Sequence, residues 1–147
     1  MTWERDGFLI TTEENKMDIV YIHEFLSTKS YWAEGVPFRI VEKSIRGSLC
    51  FGLFKGKQQI GFARAITDKA TFAWLADVFI DEQFRGHGLG KWLMEIIVSH
   101  NDLQGLRRIM LGTKDAHGLY AQYGFVSLPY PERMMTIHHP DVYMKKN

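Results

Sequence analysis

The sequence predicts an α+β (mixed α/β) domain, a largely antiparallel sheet of about six or seven strands flanked by about four helices. Three observations predict it. A chain of 147 residues is the length of one ordinary domain, so residues 1–147 read as a single domain around one core. Short runs rich in β-branched and aromatic residues are joined by tight turn signals, the mark of hairpins. Amphipathic stretches with a 3.6-residue repeat stand before and among those runs.

DGFLITTE (6–13) reads as a first short strand, and NKMDIVYIHEFL (15–26) as a helix with Met17, Val20, Tyr21 and Phe25 near a helical repeat. After the break at YWAEGVP, Pro37 occupies the first turn of a second helix. Phe38, Val41 and Ile45 fall on one face of that helix, and it ends at Gly47. SLCFGLFKGKQQIGFARAI (48–66) holds two strands around the turn Lys55-Gly56-Lys57, and TDKA leads into the long apolar run TFAWLADVFI (71–80). The apolar content of that fourth strand suggests a central position covered on both faces. A helix to about Ser99 follows, then QGLRRIMLGT (104–113) as a fifth strand, DAHGLYAQY (115–123) as a short helix and GFVSL (124–128) as a sixth strand. MMTIHH (134–139) is a candidate last strand whose flanking prolines leave its boundaries open.

Hydrophobic and charged fractions of 46% and 24% are those of a soluble globular protein. A formal net charge of +1 argues against a nucleic-acid or membrane-surface binder, and the one basic cluster, Lys145 and Lys146, is a short tail. The single cysteine, Cys50, sits in an apolar strand-like run and reads as a small buried thiol. The N-terminal stretch lacks the apolar run of a signal peptide, and no segment approaches the roughly 18 apolar residues of a membrane span, so a cytoplasmic location is expected.

The junction between the fourth strand and the helix after it, Arg85-Gly86-His87-Gly88-Leu89-Gly90, carries the chemistry. A helix N-terminus offers unsatisfied N–H groups and the positive end of the macrodipole, and glycine removes the side chains that keep a bulky anion away. Arg85 adds a charge-assisted contact. The G-x-G-x-G spacing, with Lys91 where a third glycine belongs, is not the dinucleotide fingerprint, and no Gly-Lys-Ser/Thr of a Walker loop is present.

This segment resembles the R-x-x-G-x-G acetyl-CoA loop of the GNAT superfamily of N-acetyltransferases, and LYAQYGF (119–125) is similar to the tyrosine-bearing helix end of that family. The resemblance spans most of the chain. It implies acetyl-CoA (coenzyme A) as co-substrate, its pyrophosphate on the backbone of Arg85, Gly86, His87, Gly88, Leu89 and Gly90 and its pantetheine arm along Val78, Phe79 and Ile80. It implies Tyr120 as the general acid toward the leaving thiol, direct attack by the amine, and no covalent enzyme intermediate. Where the family often carries a cofactor-holding asparagine this chain has Thr113, kept as a weak contact through its hydroxyl.

Two residues compete as base. Asp77 is a carboxylate in the middle of an apolar strand, with a structural ion pair to Arg64 as its alternative reading. His117 lies one helical turn from Tyr120, and an imidazole titrates near neutral pH. The resemblance further implies that the first two helices and their connection form the acceptor wall, with Tyr31, Trp32, Glu34 and Arg39 as the candidates able to receive a cationic amine of a small molecule or of a protein. His138 and His139 lack spaced metal-ligand partners, so no metal site is expected. The oligomeric state is open and admits a homodimer. The alternative to an acetyltransferase is a non-catalytic module that senses acyl-CoA or binds a partner.

Overall fold

An Asp-Gly turn folds the N-terminus back on itself: Asp6 (φ 52) and Gly7 (φ 82) both take left-handed angles, the geometry of a tight two-residue hairpin. The turn joins β1 (Thr2–Arg5) to β2 (Phe8–Thr11), where the sequence suggested one strand. The computed structural model describes residues 1–144, and the tail lysines Lys145 and Lys146 lie outside the described residues. After β2 come α1 (Ile19–Lys29), α2 (Phe38–Arg46), β3 (Leu49–Lys55), β4 (Gln58–Thr67), β5 (Phe72–Ile80), α3 (Leu89–Ser99), β6 (Arg108–Met110) and α4 (His117–Ala121). The six strands lie in sequence order, each antiparallel to its neighbour except β5 and β6, which run parallel because α3 carries the chain back across the sheet.

Each face of the sheet has its own apolar cluster. Val41 and Ile45 of α2 and Ile22, Phe25 and Leu26 of α1 cover Cys50, Phe62 and Phe79 on one face. Trp92, Leu93, Met94 and Ile97 of α3 and Tyr120 of α4 cover Phe51, Leu53, Ile60 and Leu75 on the other. Cys50 is buried, its thiol donating to Ile45 O at 3.4 Å, and burial pushes it up to about 12.

Several expectations are corrected. GFVSL (124–128) forms no strand, and neither does MMTIHH (134–139); six strands are reached through the N-terminal hairpin instead. The fifth predicted strand shrinks to the three residues of β6. β5 is next to the edge rather than central, and Phe72 and Trp74 on it stay partly exposed. Val20 and Phe38 turn outward, because the buried face of α1 is set by Ile22, Phe25 and Leu26, and Phe38 packs edge-on against His23.

Candidate active site

α3 begins without a side-chain cap. Its N-cap is Gly88, held at φ 74, and the first intrahelical bond runs from Trp92 N to Gly88 O at 3.1 Å. By contrast, α1 is closed by Asp18, whose carboxylate accepts from Tyr21 N at 3.0 Å. Among the described residues, no backbone amide from Gly86 to Lys91 donates to a protein acceptor. A run of such donors at the positive end of an 11-residue helix is an arrangement suited to an anion.

The glycines differ in their reasons. Gly86 (φ 85) and Gly88 (φ 74) sit where an L side chain is strained. Gly90 does not: it is helical, and the nearest foreign atom to an added Cβ is Ile80 Cγ1 at 4.0 Å. Neither packing nor backbone angle within the chain asks for glycine there. A bare first turn suits the close approach of a bulky phosphate group, so the residues present fit coenzyme A. Arg85 stands at the loop's mouth, its Nε donating to Ile80 O at 3.2 Å, and His87 is an exposed loop side chain.

Beside the loop, the sheet opens. β6 pairs with β5 only at Phe72, Ala73 and Trp74, so from Leu75 to Ile80 that side of β5 carries no strand. Asp81 N donates to Ile60 O of β4 at 2.7 Å. Alternation along the strand then turns the backbone of Phe79 toward β4 and that of Val78 and Ile80 toward the open side. Of the three expected pantetheine contacts, Val78 and Ile80 therefore present their backbone to the slot. Phe79 instead supports it from below, its ring stacked on Phe25 with centroids 3.7 Å apart.

Asp77 marks the irregularity that bends β5. It takes φ 54 where the pairing with β4 shifts register between Phe62 and Arg64, an angle aspartate tolerates better than most side chains. Its Oδ2 accepts from Arg64 Nε at 2.6 Å and its Oδ1 from Trp32 Nε1 at 2.8 Å, while Arg64 Nη1 donates to Ser48 Oγ at 3.1 Å. The ion pair to Arg64 is thus made, and both carboxylate oxygens are engaged. The group borders a cavity of about 230 Å³ whose apolar wall includes Leu26, Val36, Ile40, Val41 and Tyr143.

Trp32 brings Tyr31 with it, the two rings meeting edge-on at 5.1 Å, and Tyr31 Oη accepts from Lys114 N at 3.3 Å. Tyr31 lies close enough to Tyr120 to perturb it: burial, with a smaller push from Tyr31, raises the Tyr120 phenol above the ordinary tyrosine range. Tyr120, His117 and Thr113 line one open groove of about 1040 Å³ along β6. Thr113 Oγ1 accepts from Ala116 N at 3.0 Å, so its oxygen closes the turn into α4 while its proton stays available to donate. Tyr123 Oη donates to Lys91 O at 2.8 Å and ties α4 to α3.

The structure brings Tyr31, Trp32 and Asp77 into contact with one another, and sets Tyr120 with His117 and Thr113 in the groove along β6. Glu34 and Arg39 join neither set; both are exposed, and their side chains make no hydrogen bond or ion pair among the described residues. No group of three or more metal-ligating side chains occurs among the described residues, and His138 and His139 are exposed. Ser48 and Tyr143 were missed in the sequence. A lone serine before a strand and a tyrosine near the C-terminus carry no local pattern, and only folding sets them beside Arg64 and Val36.

The profile of the Acetyltransferase (GNAT) domain matches residues 46–127. A Gibberella zeae protein named "Putative acetyltransferase FG08082" is 31% identical over 142 residues, covering 82% of this chain and 79% of its own. A crystal structure of a GNAT-family protein from Xanthomonas campestris pv. campestris is 44% identical, with a TM-score of 0.93 over 97% of this chain and 100% of that one. A GNAT-family acetyltransferase from Elizabethkingia anophelis, solved with acetyl-CoA bound, shares the fold at TM-score 0.63 and 16% identity, over 85% of this chain and 80% of that one. With the uncapped glycine loop, the splayed strands and the buried tyrosine in place, this chain belongs to the GNAT superfamily of N-acetyltransferases.

Proposed function

We propose that this protein transfers the acetyl group of acetyl-CoA to a primary amine, by direct attack and without a covalent enzyme intermediate. The observation that carries the reading is the run of partnerless amides from Gly86 to Lys91 beside the strand-free edge of β5. The acetyl-CoA bound in the Elizabethkingia anophelis relative supports the choice of donor.

Acetyl-CoA supplies an activated acyl group as a thioester. The amides of Gly86 to Gly90 and Arg85 hold its diphosphate, and the backbone of Val78 and Ile80 pairs with the amide-bearing arm, as a peptide adds to a sheet edge. The Val78 amide, on the open side, is placed to donate to the carbonyl oxygen as charge develops there. Tyr120 Oη delivers a proton to the departing sulfur; burial raises its pKa and so favours the protonated form that donates. Asp77 positions rather than deprotonates, since both its oxygens accept hydrogen bonds and it fixes Trp32 at the acceptor wall. His117, exposed in the same groove as Tyr120, is left to take the amine proton. Tyr31 and Trp32 offer aromatic faces to a cationic amine before it loses that proton, and the small cavity at Asp77 favours a small-molecule acceptor.

Calorimetric titration with acetyl-CoA, followed by an amine panel with mass detection of the acetylated product, tests the reading. Binding together with turnover supports it; binding without turnover on any amine leaves an acyl-CoA sensor, and absence of binding refutes both. Tyr120→Phe should lower kcat by about 10²-fold or more while acetyl-CoA affinity changes little, because the lost hydroxyl acts only on the leaving group. An equal loss in both would place Tyr120 in binding.

A further inference from the structure

The cavity of about 230 Å³ beside Asp77 has walls of two kinds. The helices and the sheet supply the fixed ones, Leu26 of α1, Val41 of α2, Arg64 of β4 and Asp77 of β5 among them. The connection between α1 and α2 is pinned as firmly: Gly35 N donates to Ser27 O at 3.0 Å, and His23 Nε2 donates to Val36 O at 2.9 Å. The other kind is a single side chain brought from far along the sequence, Tyr143.

Its route there is long. α4 lies on the opposite face of the sheet, and every residue from Pro129 to Val142 is exposed, so the arm reaches the α1–α2 face without burying a side chain on the way. Tyr143 alone then packs, half-buried, against the cluster that holds Val36 and Val41. Two successive turns set its position, with Val142 N donating to His139 O at 3.2 Å and Met144 N to Asp141 O at 3.1 Å. Gly35 makes room for it: at φ 77 it takes an angle that strains other residues, and a Cβ there would meet Tyr143 O at 3.2 Å. An arm whose hold on that face is one ring at the rim of a cavity is a poor brace for the fold and a direct means of setting the cavity's size.

We propose that Tyr143 determines which amine this protein accepts, by closing the cavity beside Asp77 against acceptors too long for it. Given the acetyltransferase reading on which this rests, the acceptors are small primary amines with a compact apolar body. Leu26, Val36, Ile40 and Val41 match such a body, and the two charged lining groups, Arg64 and Asp77, already neutralise each other at 2.6 Å. A second charge on the acceptor therefore has no counter-charge to meet there. At roughly 30 Å³ per water-sized group, 230 Å³ holds about seven non-hydrogen atoms.

Straight-chain primary amines from propylamine to decylamine, titrated into the isotope-labelled full chain and followed by nuclear magnetic resonance, test this without catalysis. Bound in the cavity, they should shift the Trp32 Nε1–H and Gly35 amide resonances. Affinity should rise about fourfold per methylene up to about seven non-hydrogen atoms and then fall about tenfold or more. In Tyr143→Ala it should keep rising for about three further methylenes, because the removed ring leaves space in line with the cavity. Tyr143→Leu should move the limit less, and Tyr143→Phe and Val142→Ala, the latter at an exposed neighbour in the same arm, should leave it in place. Unchanged far-UV circular dichroism is expected throughout, since no variant alters a fully buried side chain. Acetylation of the same amines by the wild type with acetyl-CoA should stop at the same length. An equal limit in the wild type and Tyr143→Ala, no limit in the wild type, or no shift at the two resonances with any amine overturns the proposal. Turnover with an unmoved limit would leave the transferase and refute the role of Tyr143; a limit that moves in Tyr143→Ala without turnover on any amine would do the reverse.

Discussion

Gly90 separates what a residue does for its own chain from what it does for a ligand. As a helical glycine with open space around it, it costs stability relative to alanine, roughly 0.5–1 kcal/mol. Gly90→Ala should therefore raise or preserve the melting temperature while weakening acetyl-CoA binding about tenfold or more, read by calorimetry on the same sample. A variant that binds as well as the wild type would remove the loop from the site. Gly61 is the opposite case: a Cβ there would meet Phe79 O at 3.0 Å and Leu53 Cδ2 at 3.2 Å, so its smallness serves the sheet. Both are glycines of the same string, and the letter alone does not distinguish them. The Gly86–Gly90 pattern was legible as a glycine-rich helix start because its spacing and its place before a helix are local facts. The state of Asp77 was not, since Arg64 and Trp32 reach it from β4 and from the connection between α1 and α2.

At the scale of elements, the Arg64–Asp77 pair locks the irregular stretch of β5 against β4. Side-chain exposures of 16% and 9% place both charges largely out of water. Removing one partner strands the other, so Arg64→Met should cost about 3–5 kcal/mol in denaturant unfolding. Arg64→Met combined with Asp77→Asn should cost clearly less than the sum of the two single changes, with a coupling above about 1 kcal/mol. Additivity would mean that the pair is not felt. The element readings that succeeded were those with local punctuation: Pro37 and Gly47 around α2, Gly56 (φ 60) between β3 and β4, and the glycine loop before α3. Those that failed were GFVSL and MMTIHH, whose composition suits a strand but which join no ladder among the described residues. Strand propensity records a fit to a sheet and does not say which sheet.

For the whole molecule, His100 links the β1 edge and the interior of the α3-side core to pH. Its ring meets Trp3 of β1 and Phe51 of β3 edge-on, and its Nδ1 accepts from Asp102 N at 3.1 Å, which requires the neutral ring. Burial holds its pKa below the ordinary 6.5. With the folded value depressed, the unfolded chain takes the proton first. The contribution is therefore complete above about pH 6.5 and is lost as pH falls through the folded value. Thermal melts should show the melting temperature dropping below that pH. The drop should be smaller in His100→Asn, which keeps a capping acceptor without a titrating ring and is less stable throughout. An identical slope in the variant would assign the acid sensitivity to carboxylates instead.

The sequence by itself determined the glycine-rich start of α3, the tyrosine on the last helix, the bounds of α2 at Pro37 and Gly47 and the turn between β3 and β4. Each of these is written within a few residues, at the range over which backbone angles and helix dipoles act. Only the tertiary structure decided that β5 and β6 part after Trp74, that Asp77 is held by Arg64 and Trp32, and that the C-terminal arm stands off its own sheet. Those features depend on contacts between residues distant along the chain, where the competition among burial, pairing and charge is settled only once all the elements are packed.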